Sequence, residues 1–439
     1  MFSKLLRVSI GPRKVFIRMP LGGAIYDLDT GALYYLNEDG ARIFEAVCGD
    51  FFKSLDILCK NEDRRECIQR IVEFLREASA RGHVVVYSPF SIKKPREVGK
   101  CTYSSWFIPS LIDVEVTSRC NARCPYCYLE RKDNDLDPNS FEKFLDKLTS
   151  IDEYRVKIPF ILLSGGEPLI HPKFNDFLEI ALQYSLKVGI LTNGIELDRF
   201  IDEIIKNKDR ILVQVSIDST NKELYSVLKG VDPKFLGRVL DSISKLIEEK
   251  VPVYIAVPVS KVNLEDIPNT VQYLKKLYGD TVKLRIAPVI SVGGADDQYS
   301  IGPGDISIIS RISGYTRKFG DPIEVEAAKK LLEESPIPNC GAGWLRIYVD
   351  SEGYIKPCPI MPNTQRFGRI DDDLQDLLGR GKALSFAKIT APNAEGICKG
   401  CPYASWCHRC IARALWLSMK GVKCRWLILE GHKIGQYSG

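Results

Sequence analysis

Fourteen cysteines stand against four histidines in this 439-residue sequence, so any metal centre must be mostly thiolate. One group reads Cys120-Asn-Ala-Arg-Cys124-Pro-Tyr-Cys127, a C-x3-C-x2-C spacing on one predicted loop. Three thiolates so close together can hold three irons of a [4Fe–4S] cube, which leaves the fourth iron open to a substrate or cofactor. A structural zinc knuckle would want a fourth N or S ligand in a closed site, and the next candidate is as far away as His171. A second group is Cys340, Cys358, Cys398, Cys401, Cys407, Cys410 and Cys424, whose compact part reads C-x2-C-x5-C-x2-C. Seven thiols exceed the need of one site and nearly fill two. A zinc ribbon on Cys398 and Cys401 with Cys407 and Cys410 is the alternative. His408 reads as an exposed loop residue rather than a ligand. Cys48, Cys59 and Cys67 lie in apolar helical patterns and read as buried core residues. Cys101 carries no assignment.

The elements that must position the first group alternate strand and amphipathic helix from about 105 to 290. Strands are expected at 111–117, 159–164, 187–192, 211–217, 252–257 and 282–288, with helices at about 140–149, 173–184, 197–206, 233–249 and 265–277. Repeated βα units imply a parallel sheet, and six strands imply an α/β fold with a partial (β/α)6 barrel rather than a closed eight-fold one. The cysteine loop follows the first strand. The second strand ends in Ser164-Gly165-Gly166-Glu167-Pro168, the third in Thr192-Asn193-Gly194 and the fourth in Ser216-Ile217-Asp218. Glycines allow close backbone approach, and Glu167 offers a carboxylate at the rim where barrel sites sit.

Over these residues the sequence resembles the radical S-adenosylmethionine (SAM) enzymes. The resemblance implies that Cys120, Cys124 and Cys127 hold a SAM-binding [4Fe–4S] cluster, with Gly165, Gly166 and Glu167 at the methionine amino group. Tyr126 would lie near adenine, and Thr192, Asn193 and Ser216 near the carboxylate and ribose. Cleavage of SAM to a 5′-deoxyadenosyl radical would follow one-electron reduction, from a donor such as ferredoxin or flavodoxin. The seven-cysteine segment, 336–439, resembles the SPASM extension of these enzymes, which carries two auxiliary [4Fe–4S] clusters. By that resemblance Cys340, Cys358 and Cys410 belong to the first, and Cys398, Cys401, Cys407 and Cys424 to the second. The x2 spacing before Cys410 departs from the family's usual x3, and the first auxiliary cluster has three obvious ligands, not four.

Residues 1–90 read as a winged-helix-like unit, with short strands at 6–10 and 14–18, a hairpin turning at Asp29-Thr30-Gly31, three helical patterns and a closing strand at 83–87. The run YDLDTGALYYLNEDGARIFEAVCGD resembles the peptide-recognition element of ribosomal peptide modification systems, similar to the peptide chaperone of pyrroloquinoline quinone assembly. That resemblance implies a precursor peptide or protein partner whose leader adds as a strand to a sheet edge. A purely structural cap and a DNA-binding head are the alternatives. The mixed charge of 64–80 speaks against DNA, since a recognition helix should be basic. Residues 91–104 read as a linker and 291–335 as a bridge. The sequence is 45% hydrophobic and 27% charged with a net charge of +5, which suits a globular protein and argues for neither nucleic acid nor membrane partners. No apolar run approaches the ~18 residues of a membrane span, and the N-terminus lacks a secretory h-region, so a cytoplasmic protein is expected. The function this predicts is hydrogen abstraction from a ribosomally made peptide, followed by a thioether or carbon–carbon cross-link. Modification of a protein residue or a cofactor precursor, and an iron–sulfur DNA-binding sensor, are the other readings.

Overall fold

Six apolar-rich runs form the parallel strands that position the cysteine loop, in a computed structural model that describes residues 7–87, 97–130, 132–319, 339–393, 396–407 and 409–429. The N-terminal unit supplies β1 (Arg7–Ile10), β2 (Lys14–Arg18), β3 (Gly23–Asp27), β4 (Leu33–Leu36), α1 (Glu38–Cys48), α2 (Phe51–Leu58), α3 (Arg64–Ala80) and β5 (Val84–Tyr87). After β6 (Lys100–Tyr103) come the six barrel strands β7 (Leu111–Thr117), β8 (Ile158–Gly165), β9 (Ser185–Thr192), β10 (Ile211–Ser216), β11 (Val253–Val259) and β12 (Lys283–Pro288). Each pairs in parallel with the next, as the βα alternation requires. Helices α4 (Pro138–Thr149), α5 (Phe174–Tyr184), α6 (Ile201–Lys206), α7 (Lys222–Lys229), α8 (Phe235–Glu248) and α9 (Ile267–Tyr278) fill the crossovers. Ile112, Val114 and Val116 join the apolar core, and the alternating Asp113 and Glu115 therefore face the barrel interior.

The sequence reading missed α7, which the Asn221 cap and the left-handed Gly230 delimit. It also missed how the flanking segments join the sheets. β6 lies in the stretch read as a linker, yet it pairs in parallel with β2 and makes one edge of the sheet β4-β3-β2-β6. One face of that sheet (Val15, Ile17, Ala24, Tyr26, Leu33) is continuous with the barrel core, while Phe16 and Ile25 pack under α1 and α3. The N-terminal unit thus shares its core with the barrel. It sits at the start of the barrel strands: the Tyr26 hydroxyl donates to the Arg155 carbonyl at 3.0 Å, and a methyl group on Gly31 would meet Leu186 and Lys157.

A second correction concerns the N-terminal cysteines. Cys48 pairs with Cys101 and Cys59 with Cys67 as disulfides. The Cα separations, 6.1 and 5.7 Å, lie in the range a bridge spans. Cys59 and Cys67 are buried as expected, whereas Cys48 is exposed, because its contact with Cys101, to which no role was assigned, joins the end of α1 to β6.

Beyond the barrel, α10 (Ile306–Phe319) packs against β12, and residues 320–338 lie outside the described ones. The C-terminal segment adds β13 (Arg346–Val349), β14 (Tyr354–Lys356) and β15 (Gly368–Arg369), then α11 (Leu374–Leu378), α12 (Gly381–Ala387), α13 (Ala404–Cys407) and α14 (Ile411–Met419). β13 pairs in parallel with β7, so this segment extends the barrel sheet to nine strands. Trp406 and Trp426 anchor its own apolar cluster.

Candidate active site

A cavity of about 490 Å³ opens at the C-terminal ends of the barrel strands. Its lining includes Cys120, Cys124 and Cys127, Tyr126, Gly165, Gly166, Thr192, Asn193 and Ser216, so the structure gathers nine of the ten sequence-predicted residues of this site. The glycine pair permits the assembly. Gly165 has φ +142°, and a Cβ there would stand 2.3 Å from the Thr117 carbonyl oxygen; one on Gly166 would stand 2.2 Å from that of Arg119. The Gly166 N–H donates to Thr117 O at 2.8 Å and that of Glu167 to Arg119 O at 2.9 Å, which fastens the end of β8 under the cysteine loop.

Glu167 is the tenth residue, and it is placed differently from the expectation. It is fully buried and absent from the cavity wall. Its carboxylate accepts from Thr192 Oγ1 and the Asn193 N–H, both at 2.7 Å, and from the Leu169 N–H at 3.1 Å. Burial raises its pKa to about 7, against the lowering effect of those donors. Glu167 therefore ties the end of β8 to the end of β9, and Asn193 passes the tie on by donating to Asn121 Oδ1 at 2.8 Å in the cysteine loop.

The residue that sequence reasoning missed is Lys229, at the end of α7. It is buried, lines the cavity, donates to Ser216 Oγ at 2.9 Å and pairs with Asp218 at 2.8 Å. Tyr126 donates its hydroxyl to the same carboxylate. Burial opposes the ammonium charge, but Asp218 and the Cys124 thiol outweigh it, so the pKa of Lys229 is raised. The signal lay in the run Asn221 to Gly230, a capped helix ending in a lysine, hidden because α7 went unread. Arg285 and Arg413 also reach the cavity, Arg413 from the C-terminal segment, with its guanidinium donating to the Trp406 carbonyl at 2.8 Å.

The donor set fits an iron–sulfur cluster. Burial, aided by neighbouring Glu167 and thiol charge, pushes the Cys120 thiol up to about 11, so it becomes a thiolate readily only beside metal cations. Cys124 is raised by the same burial. Among the described residues no three His, Cys, Asp or Glu side chains are grouped closely enough to hold a single metal ion. In the C-terminal segment Cys358 lies within electrostatic reach of Cys410 and Cys340, and burial pushes it up to about 12. Cys398 lies within reach of Cys424 and Cys401, and Cys407 of Cys410, Cys424 and Cys398. His408 lies outside the described residues.

In this partial parallel barrel, three thiols on the loop after the first strand face a cavity at the strand ends. The family described as "Radical SAM superfamily" matches residues 114–274, and the chain carries that domain, with the SAM and [4Fe–4S] cluster it uses. The chain is similar to the antilisterial bacteriocin subtilosin biosynthesis protein AlbA of Bacillus subtilis (strain 168), 28% identical over 69% of this chain and 67% of that one. It is also similar to the AdoMet-dependent heme synthase of Methanosarcina barkeri, 27% identical over 70% of this chain and 92% of that one. Among solved structures, Streptococcus suis SuiB bound to precursor peptide SuiA shares the fold, with a TM-score of 0.56 and 16% identity over 93% of this chain and 97% of that one. No described helix is long and apolar enough to cross a membrane.

Proposed function

We propose that this chain is a radical SAM maturase of a ribosomally made peptide, joining the peptide to itself through a thioether or carbon–carbon cross-link in the cytoplasm. The observation that carries the reading is the open edge of the N-terminal sheet. The outer strands of the sheet are β4 and β6, and β4 is the edge we take for the leader. The Asp27 N–H donates to the Ala32 carbonyl at 2.9 Å, and antiparallel alternation then turns the backbone groups of Leu33 and Tyr35 away from β3. An incoming strand would pair with these groups, with little demand on its sequence. The similarity to AlbA, a bacteriocin biosynthesis protein, and to SuiB, solved with its precursor peptide SuiA, supports the same substrate class.

When bound, SAM supplies a hydrogen-abstracting radical on one-electron reduction; the hard chemistry is the cofactor's. The chain's own residues bind and orient. Cys120, Cys124 and Cys127 would hold the first cluster, and the Gly165–Gly166 backbone lines the cavity within reach of an amino group. Lys229 and Ser216 offer an ammonium and a hydroxyl to a carboxylate, while Asp218 and Tyr126 hold Lys229 in place. The apolar wall of Ala256, Val257, Pro258 and Val289 excludes water from the reacting atoms. Cys340, Cys358 and Cys410 would hold one auxiliary cluster and Cys398, Cys401, Cys407 and Cys424 the other.

The test is anaerobic incubation of the reconstituted full chain with SAM, reductant and the small peptides encoded beside its gene. Formation of 5′-deoxyadenosine together with a peptide lighter by two hydrogens per cross-link is the expected result. Peptides that neither bind nor change, while the reconstituted enzyme still cleaves SAM, would move the substrate to a protein residue or a cofactor precursor.

A further inference from the structure

Among the described residues, exposed basic side chains cluster in sequence around the outer thiol group. From Leu377 onward the sequence has ten Lys or Arg against two acids, Glu395 and Glu430, both outside the described residues. Lys388, Lys399, Lys423 and Arg425 are exposed and have no ion-pair partner among the described residues. Lys399 separates Cys398 from Cys401, and Lys423 and Arg425 flank Cys424. Lys388 reaches the same face through the neighbouring Thr390, whose carbonyl accepts the indole N–H of Trp426 at 2.8 Å. Apolar side chains stand among these cations: Ile397, Ile428 and Leu429 are all exposed. Lys420 is held by Asp297 at 3.0 Å, and Arg380 pairs with Asp376.

We propose that this face docks a small acidic one-electron carrier protein of the ferredoxin type, which delivers electrons through the Cys398, Cys401, Cys407 and Cys424 group. The proposal rests on reading that group as an iron–sulfur site. A basic rim around a few exposed apolar residues is the anatomy of a transient, electrostatically steered interface. A relay runs inward from it. The Cys410 N–H donates to the Cys407 carbonyl at 3.0 Å, which joins the outer group to the Cys340, Cys358 and Cys410 group. Tyr128, next in sequence to Cys127, lies within electrostatic reach of both Cys127 and Cys358. In each delivery the reduced carrier loses one electron and an oxidised cluster of the enzyme gains it; no bond is made or broken and no proton is required.

Unpaired exposed cations raise the on-rate of an acidic partner by about 10–10³-fold, and salt removes the gain because the screening length is roughly 8 Å at 0.15 M. The test mixes the reconstituted full chain with a purified, reduced acidic [4Fe–4S] ferredoxin and follows cluster bleaching by stopped flow, with calorimetric titration of the oxidised ferredoxin alongside. Neither SAM nor peptide is present, so failure of the peptide reading does not enter. The second-order rate should fall about tenfold or more between low and physiological-to-high salt. The K399E/K423E/R425E variant should show the same loss at low salt and a flattened salt profile, in both rate and affinity. Reduction by the methyl viologen radical cation, which needs no docking face, should not slow. K388E, ten residues in sequence from the nearest cysteine, carries the test with an intermediate loss should the triple variant bind less iron. Unchanged ferredoxin rate and affinity in an iron-replete variant would overturn the proposal, as would binding of a single-stranded RNA in preference to the ferredoxin. A chain that reconstitutes with one cluster only would overturn the cluster reading separately, and calorimetry would still decide the docking.

Discussion

Replacing Lys229 with methionine isolates what the buried cation does. Lys229 and Asp218 are both almost completely inaccessible to water, and their charges face each other at 2.8 Å. Methionine keeps the length and apolar stem of the side chain but leaves the Asp218 carboxylate with the Tyr126 hydroxyl as its remaining side-chain donor. Removing one partner of a buried pair typically costs about 3–5 kcal/mol, because the other charge is stranded in a medium that solvates it poorly. Spread over the unfolding entropy of a chain this long, roughly 0.9 kcal/mol per degree, that is a fall of about 3–5 °C in Tm. The double variant K229M/D218N removes the stranded charge and should recover most of the loss. SAM affinity should not recover with it, since the donor facing the cavity beside Ser216 is still gone. Thermal melts and equilibrium dialysis with SAM on the two variants separate the structural from the binding role. A K229M cost below about 1 kcal/mol, or a double variant no more stable than the single, would refute the charge-pair argument. Restored SAM binding in the double variant would refute the binding role alone.

Replacing Cys120, Cys124 and Cys127 together with alanine should abolish 5′-deoxyadenosine formation while about two clusters' worth of iron stays on the other seven cysteines, as iron analysis and product chromatography would show. Because burial raises Glu167 to about 7, ionising it in the cofactor-free fold costs stability that grows as pH rises from its ordinary value near 4.5 and levels off above 7, by about 3 kcal/mol in all. Denaturant midpoints of E167Q should therefore lose less than those of the wild type between pH 5 and 8, and parallel curves would contradict the shift. Binding of a cognate leader peptide should slow hydrogen exchange at the Leu33 and Tyr35 amides more than elsewhere in the sheet, and no protection there would move the docking edge away from β4. Since the turn between β3 and β4 adjoins the start of β8 and the cavity opens at its far end, eight residues on, roughly 25 Å must be spanned. A peptide with fewer than about eight residues between leader and reacting residue should bind normally yet stay unmodified by mass spectrometry. Reducing or serine-substituting the Cys48–Cys101 pair, which closes a 53-residue loop, should cost up to about 4 kcal/mol in denaturant melts.

The barrel was legible because its signal is local. Each strand is a short apolar run closed by polar residues, each helix has the 3.6-residue stripe, and the cysteine spacing lies within eight residues of chain. The cavity residues followed, because in a parallel barrel every strand end faces the same way and so Gly165, Thr192 and Ser216 had to meet. What escaped was set by contacts between distant segments. β6 is four residues of mixed polarity, and only the exposed β2 edge makes it a strand. Cys48 and Cys101 are bridged because that strand brings them together. Lys229 is one of two lysines in an eight-residue helix and could as well have pointed to solvent.

Glu167 shows the limit of reading a motif by its chemistry. A carboxylate after two glycines at a barrel rim suggests a ligand contact, and its neighbours do line the cavity. The fold instead spends all three of its acceptor bonds on Thr192, Asn193 and Leu169. Those bonds hold the ends of two adjacent strands in register, and the chain that begins at Asn193 reaches the cysteine loop through Asn121. The carboxylate therefore acts on the site through its neighbours. Its removal should disturb the cysteine loop and the glycine backbone together, so that E167A lowers iron content as well as SAM affinity. A variant that lost SAM affinity with full iron content and unchanged stability would instead return Glu167 to the ligand, against the placement seen here.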